Sequence, residues 1–567
     1  MLALLFTLLN APKPLHVDDA AYYAYARHIA GHPLDPYGFQ IFWYEEPEPA
    51  NRVLAPPVLP YWWAAAIGLF GERPFLWKLW LFPFCWVFVR ALEALFRRFT
   101  PGLEGALLWM TVLSPAFLPS LNLMLDIPAL GLGLGALALF LGAADRDSPG
   151  RSALAGLVAG LAAQTKYTGL LVPAAMLLYA LTLGLGAPSW AVVRKKLLLW
   201  LVAATVAAAV FLAWEGFVAW RYPEGSHFLY HLREDTESLV LKLGYASGPL
   251  LALLGGVAPA VGVLGLIALG ARGRVLVACA AVIVLGYALI ACLGVTFTAE
   301  VKPAGWLFDS AAPVVGSCSL EQVIFTGFGA LVGAVTGAVT GRLLRLRRGA
   351  PWQAGRLARR RTEWFLVAWL GLEIAGYFAL TPFGAVRRVM GLIVVGTLLA
   401  GRLAAFRCRA PGRRRLVGAV VFGNIVLALV YYGVDLGEAF ARKEAALRAA
   451  AAVRRQAPAA RIWFIGHWEF QYYAERAGMT PVVADVSRLR PGDWLVVPDA
   501  SVDRQEVVFD PASLQAFAPV VVRGCLPVAT VWGFYGTGTG VPLRHHDGPV
   551  VRVKVYRVTR GFVPSAP

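Results

Sequence analysis

A chain of 567 residues that is 58% hydrophobic and 15% charged, with a mean hydropathy of +0.62, falls far below the ~25% of charged residues usual in a soluble protein. Its net charge of +18 is gathered in short arginine clusters between apolar blocks, such as 345–361 and 407–415, which is the mark of cytoplasmic loops and excludes a nucleic-acid surface. The apolar blocks are each roughly 17–25 residues long, the length of a membrane crossing, and are continuous rather than alternating, so they are helices and not barrel strands.

In chain order the candidate spans are 2–12, 76–95, 103–120, 127–144, 152–166, 168–187, 197–220, 247–270, 275–295, 322–344, 363–381, 389–406 and 416–434. The first offers only about ten apolar residues against the ~20 a crossing needs. It also lacks the basic start and small-residue cleavage site of a signal peptide, so the expectation is that the true start lies upstream of Met1. Arg97-Arg98, 146–151, 194–196, 272–274, 345–361 and 407–415 fix the inside, and the spans then alternate without contradiction. The stretch 54–70 would break that alternation if it crossed. Its three early prolines and its aromatic run Tyr61-Trp62-Trp63 predict a helix lying at the outer face. The stretch 152–187 has basic loops on both sides and must be a hairpin, turning at Gln164 to Gly169.

The fold expected is an all-α polytopic membrane protein of about 13 transmembrane helices over 1–434, with an outer loop and juxtamembrane helices over 13–75. A smaller extracytoplasmic α/β domain follows over 435–567. Its strand-like runs are Ile462–Ile465, Val482-Val483, Trp494–Val497 and Val520–Val522, with a helical stretch over 468–477. Six scattered cysteines show no metal-type Cys/His spacing.

Four polar features fall on the outer side. Asp18-Asp19 follows the first span and opens a short helix carrying Tyr22. Adjacent carboxylates raise one another's pKa, which suits a general base or a cation site, whereas a plain helix cap is the bland reading. Asp126, in Asp126-Ile127-Pro128, begins a span and reads first as a helix cap and otherwise as a site. Lys166, in the hairpin turn, needs an anionic partner or must reach the interface. Arg387-Arg388 places paired arginines on an outer loop, against the charge rule. Either they anchor the interface or they fork onto phosphate oxygens.

The ordered set is more specific than its members. The acidic pair comes first, then Pro56-Pro57-x-x-x-Tyr61-Trp62, Asp126-x-Pro128 and Gly160-Leu161-x-x-x-Thr165-Lys166. It resembles the GT-C glycosyltransferases, in particular the group containing the lipid A aminoarabinose transferase and the protein O-mannosyltransferases. His32-Pro33-Leu34-Asp35-Pro36-Tyr37-Gly38-Phe39 and Gly466-His467-Trp468-Glu469-Phe470-Gln471-Tyr472-Tyr473 are similar to stretches in uncharacterised bacterial members. The resemblance implies a sugar transferred from a polyprenyl-phosphate donor to a lipid, glycan or protein hydroxyl, usually with inversion, in the bacterial inner (plasma) membrane with the site outside. It implies Asp18 as the catalytic acidic residue with Asp19 following it; the mechanism then expected has Asp18 as base, Asp126 orienting the acceptor or Lys166, and Lys166, Arg387 and Arg388 on the donor phosphate. Tyr22, Tyr61, Trp62 and Tyr167 would form the substrate groove.

Two departures stand out. The family's usual Asp-Glu pair is Asp18-Asp19 here, and the Lys that aminoarabinose transferases carry before the Pro-Pro is Ala55. The acidic pair is also suited to Mg²⁺ or Mn²⁺ as hard oxygen ligands. The competing readings are a transporter or flippase of lipid-linked sugars, which asks for midplane sites and inverted repeats, and a non-catalytic membrane partner protein.

Overall fold

The computed structural model describes the chain except for 44–45, 54–55, 185–188, 235–238, 302–313, 346–359, 381–382, 409, 500–504, 506, 537–539 and 567. At 231–234, 239–241, 299–301, 314–316 and 532 it describes backbone alone. Ala55 and most of the basic stretch 345–361 thus lie outside the described residues.

The N-terminal part runs α1 (Leu2–Asn10), α2 (Asp19–Gly31), the hairpin β1 (Gln40–Phe42) and β2 (Pro47–Pro49), α3 (Ala50–Val53) and α4 (Val58–Phe70). With 13 residues, α4 is only about 20 Å long at 1.5 Å per residue. That is short of a crossing, and the helix packs against α2. Helices α5 (Pro74–Trp80) and α6 (Phe82–Phe99) join into one span. Then follow α7 (Glu104–Val112), α8 (Asp126–Arg146), α9 (Pro149–Ala163), α10 (Leu171–Gly184), α11 (Trp190–Arg221), α12 (His227–Glu234), α13 (Leu239–Val257), α14 (Pro259–Leu269) and α15 (Gly273–Cys292). The hairpin β3 (Thr296–Val301) and β4 (Val314–Ser319) leads to α16 (Leu320–Arg345), α17 (Arg361–Leu380), α18 (Met390–Arg407) and α19 (Pro411–Gln456).

Among the described residues 9 helices are long and apolar enough to cross a membrane, or 10 if the bent pair α13–α14 is counted as one. The protein is therefore a polytopic membrane protein with fewer full-length spans than the 13 expected. Three expected crossings fall short: α1 and α7 have 9 residues each and α9 has 15. The expected span 103–120 is helical only to Val112, and 113–125 continues as irregular, buried backbone. Such backbone is tolerated at membrane depth only inside protein. The expected span 247–270 breaks at Ala258, where α13 and α14 meet at 76°, because Pro259 cannot donate into a continuing helix.

One end of the bundle is tied by the basic loops. Arg98 pairs with Asp145 at 2.6 Å, Lys196 with Asp147 at 2.5 Å and Arg402 with Glu363 at 2.7 Å. The hairpin α9–α10 turns at the opposite end, through a 3₁₀ turn at Tyr167–Leu170. Helix α19 has 46 residues and extends about 69 Å, so the boundary expected at 435 falls in its interior.

Beyond α19 come β5 (Ile462–Phe464), α20 (Trp468–Arg476), β6 (Thr480–Pro481), β7 (Trp494–Pro498), β8 (Leu514–Ala516), β9 (Val520–Val522), β10 (Val528–Ala529), α21 (Val531–Tyr535), β11 (Arg544–His545) and β12 (Val551–Val558). Six of these strands form a sheet of order β6-β5-β7-β12-β8, with β9 also on β12. The pairs β5–β6 and β5–β7 are parallel; β12 is antiparallel to β7, β8 and β9. Strand β7 is buried along its whole length, as a central strand with both faces covered must be. Strand β12 alternates, with Val551, Val553 and Val555 inward and Arg552 and Lys554 outward. The expected strand at Val482-Val483 lies two residues earlier, at Thr480–Pro481.

Candidate active site

Asp18 occupies the N-cap position of α2, yet its side chain makes no capping hydrogen bond. Its Oδ2 accepts from Arg387 Nη1 at 2.8 Å instead, and a fifth of the side chain stays exposed. Asp19, one residue on, turns away and is fully buried. It accepts from the His16 backbone N at 3.1 Å and lies 3.5 Å from Lys78 Nζ. Burial raises the Asp19 carboxyl above the usual carboxylate range, against the pull of Lys78. The adjacent pair therefore diverges, each acid already facing its own cation, and in this arrangement does not fit a shared Mg²⁺ or Mn²⁺ ion. Among the described residues no group of three or more His, Cys, Asp or Glu side chains is placed to hold a metal.

Asp126 opens α8 and is ion-paired with Lys166 from the hairpin turn. Gly169 lets that turn close, because a Cβ there would lie 2.5 Å from the backbone of Ala162. Arg387 and Arg388 sit on the short 3₁₀ turn that enters α18. These four residues share the mouth of one groove between α8, α10, α17 and α18. Below the mouth the walls are apolar on the α8 and α10 sides, with Leu130, Leu134, Leu137 and Val172. Glu373, Trp369 and Tyr377 of α17 line the opposite wall.

The electrostatics of the mouth favour an anion. Burial lowers the Arg388 guanidinium to about 10, and Arg387 beside it adds to the effect. Arg388 makes no ion pair among the described residues and lies over the Phe383 ring at 5.3 Å. Arg387 is shifted the other way: burial opposes its charge, but Asp18 and Asp126 outweigh burial. The Nε atoms of both arginines are buried without an acceptor, and a buried donor left unpaired is costly. Helices α8, α10 and α18 all begin at this mouth, so their positive dipole ends converge there.

None of the four expected groove aromatics is among the residues lining this groove, although Tyr22 lies close enough to Asp18, Arg387 and Asp126 to feel their charges. Tyr22 is buried against Trp63, 5.6 Å between ring centroids. Tyr61 donates to the Pro33 carbonyl at 2.7 Å. Trp62 and Trp80 stack and exchange hydrogen bonds through their indole N–H groups and backbone carbonyls. Tyr167 turns to Glu215 and His227.

A second polar cluster, not foreseen from the sequence, lies behind Asp18. Lys13 and Asp435 pair at 2.6 Å, both fully buried. His16 Nδ1 lies 2.9 Å from Glu469 and its Nε2 lies 3.4 Å from Asp435. Burial alone would lower the His16 imidazolium, but Glu469 and Asp435 raise it to about 9. Arg442 stands 3.3 Å from Glu469, and Tyr535 donates to Asp435 at 2.9 Å.

No protein-family model matches the chain, and no curated protein sequence matches it. Among solved structures it is similar to an oligosaccharyltransferase of Archaeoglobus fulgidus, crystallised with Zn and sulfate. The identity is 15% and the TM-score 0.48, over 85% of this chain and 62% of that one. It is similar to AglB of the same organism in complex with an inhibitory peptide and a dolichol-phosphate, at 14% identity and TM-score 0.47, over 85% and 63%. It is similar also to ArnT from Cupriavidus metallidurans in the apo state, at 13% identity and TM-score 0.38, over 87% and 91%. The chain spans less than two thirds of the archaeal proteins it matches.

Proposed function

We propose that the protein is a membrane glycosyltransferase. It moves a sugar from a polyprenyl-phosphate donor to an acceptor hydroxyl, with inversion, at the extracytoplasmic face of a bacterial plasma membrane. The observation that carries this reading is the two-part groove. Buried guanidinium N–H groups without acceptors, together with Lys166, stand at its mouth, and an apolar channel between helices runs below. A phosphate monoanion or dianion satisfies the first part, and a prenyl chain fills the second.

The chemistry follows from the positions. The acceptor oxygen attacks the sugar C1 while the bond from C1 to the phosphate oxygen breaks, and the phosphate leaves with the electron pair. Arg388, Arg387 and Lys166 stabilise the charge that builds on it. Asp18 takes the acceptor proton. Its pairing with Arg387 in the free protein ties the two roles together. A donor phosphate draws Arg387 toward itself, which frees the Asp18 carboxylate to meet the acceptor hydroxyl. Asp126 holds Lys166 in place.

The test is Asp18→Asn in membranes supplied with a polyprenyl-phosphate sugar. Transfer is expected to fall by about 10²–10⁴, the usual worth of general-base catalysis, with donor KM little changed. Transfer at the original rate removes Asp18 from the mechanism.

A further inference from the structure

Residues 11–18 link α1 to α2 without regular structure, and helix α20 of the C-terminal module holds the three residues that precede Asp18. Leu15 N donates to Tyr473 Oη at 2.9 Å. His16 Nδ1 lies 2.9 Å from Glu469 Oε1. Val17 N donates to Glu469 Oε2 at 2.8 Å. Glu469 is itself fully buried, with Arg442 of α19 at 3.3 Å. One carboxylate thus grips two consecutive residues of the loop from an element more than 450 positions away in the chain.

The grip holds a strained conformation. Val17 has φ 48°, in the left-handed region that a β-branched side chain avoids. Trp468, beside Glu469, has φ 51°, so both sides of the contact carry such a residue. Strain of this kind persists only where the surroundings over-determine it. Without the bonds from α20, Val17 relaxes to an ordinary φ. That rotation swings the next residue, Asp18, away from Arg387 and the groove mouth.

We infer that Glu469 is a positioning residue for transfer: from outside the membrane bundle it sets the aim of the Asp18 carboxylate by clamping Val17 and His16. The inference rests on Asp18 acting in the transfer proposed above. It also gives a purpose to the stretch Gly466 to Tyr473, whose Glu469 and Tyr473 both reach the loop. The C-terminal module then completes the active site without touching substrate.

The experiment compares four variants of the full chain in membranes: Glu469→Gln, Tyr473→Phe, Glu438→Gln and Asp18→Asn. Glu469→Gln is expected to lower kcat by about tenfold to a hundredfold, the cost of a misplacement near 1 Å, with donor KM held within about twofold. Tyr473→Phe removes only the bond to Leu15 and is expected to show a smaller loss with the same split; it carries the test if Glu469→Gln does not fold. Glu438 accepts from Thr530 N at 2.8 Å and Val531 N at 3.2 Å and touches no part of the loop. Glu438→Gln therefore loosens the same module and is expected to leave kcat unchanged. If Glu469→Gln and Tyr473→Phe keep full kcat while Asp18→Asn loses it, the inference is overturned and the base assignment stands. If Glu438→Gln loses kcat as Glu469→Gln does, the effect is one of stability and the inference is again overturned. An active Asp18→Asn overturns the reading of the reaction itself.

Discussion

Burial pushes the Lys166 ammonium downward, Asp126 resists, and Arg388 and Arg387 add to the lowering. A phosphate arriving at the groove mouth reverses the balance, because its negative charge favours the protonated amine. On the proposed reading, donor binding therefore takes up a proton. Affinity is greatest where free Lys166 is already charged, and it weakens as pH rises through the lowered pKa. The expected result is a donor KM that climbs from neutral to mildly alkaline pH, and a flatter profile in Lys166→Arg, whose guanidinium keeps its proton throughout. The four groove cations and acids Asp126, Lys166, Arg387 and Arg388, and Asp18 beside them, were reachable from charge and span parity alone, since basic residues at the non-basic end of the bundle break the usual rule. Their partners were not. Lys13 meets Asp435 422 positions away, and no local pattern announces that. The aromatic residues near the site misled for a related reason. Tyr61 and Trp62 read as a groove wall by composition, but their N–H and O–H groups found backbone carbonyls nearby and fixed the rings in the packing of α4.

Helices α9 and α11 meet through small residues, as lipid-embedded helices do when dispersion must replace the hydrophobic effect. A Cβ on Gly156 would lie 2.3 Å from the Ala203 carbonyl oxygen, and Ser152 donates to the Leu199 carbonyl at 2.5 Å along the same seam. The clash is with backbone, which cannot swing aside. Gly156→Val is expected to separate the two helices and lower the midpoint of thermal unfolding in detergent, whereas Gly150→Ala, in open space, leaves it unchanged. Long apolar elements such as α8, α11, α16 and α18 were legible because twenty apolar residues have few other uses. The departures each had a local signal that the hydropathy of the stretch hid. Pro115 and Pro119 sit in the expected span 103–120, where α7 stops at Val112. Pro259 marks the α13–α14 bend. The Ala-rich, charged stretch after 435 reads as the start of a soluble domain, yet it continues α19 to Gln456. The alternating run 551–558 was an unread strand with a clear two-residue period.

At the scale of the whole molecule, the N-terminal loop, the long helix α19 and the C-terminal module are joined around Lys13 and Asp435. Removing one member leaves a buried charge without its partner, which costs about 3–5 kcal/mol. Lys13→Met is expected to show that loss in unfolding measurements. The irregular segment 113–125 depends on the same junction. The carbonyls of Met110 and Leu113 accept from Asn424 of α19. The carbonyl of Pro119 accepts from Lys13, and Tyr535 Oη, whose hydrogen goes to Asp435, receives the Asn122 amide. A helix supplies its own partners; this segment borrows one from a residue 413 positions later in the chain. The C-terminal module thus supplies the buried, non-helical segment 113–125 with a hydrogen-bond partner that its own sequence lacks, so that segment is complete only once the module has docked.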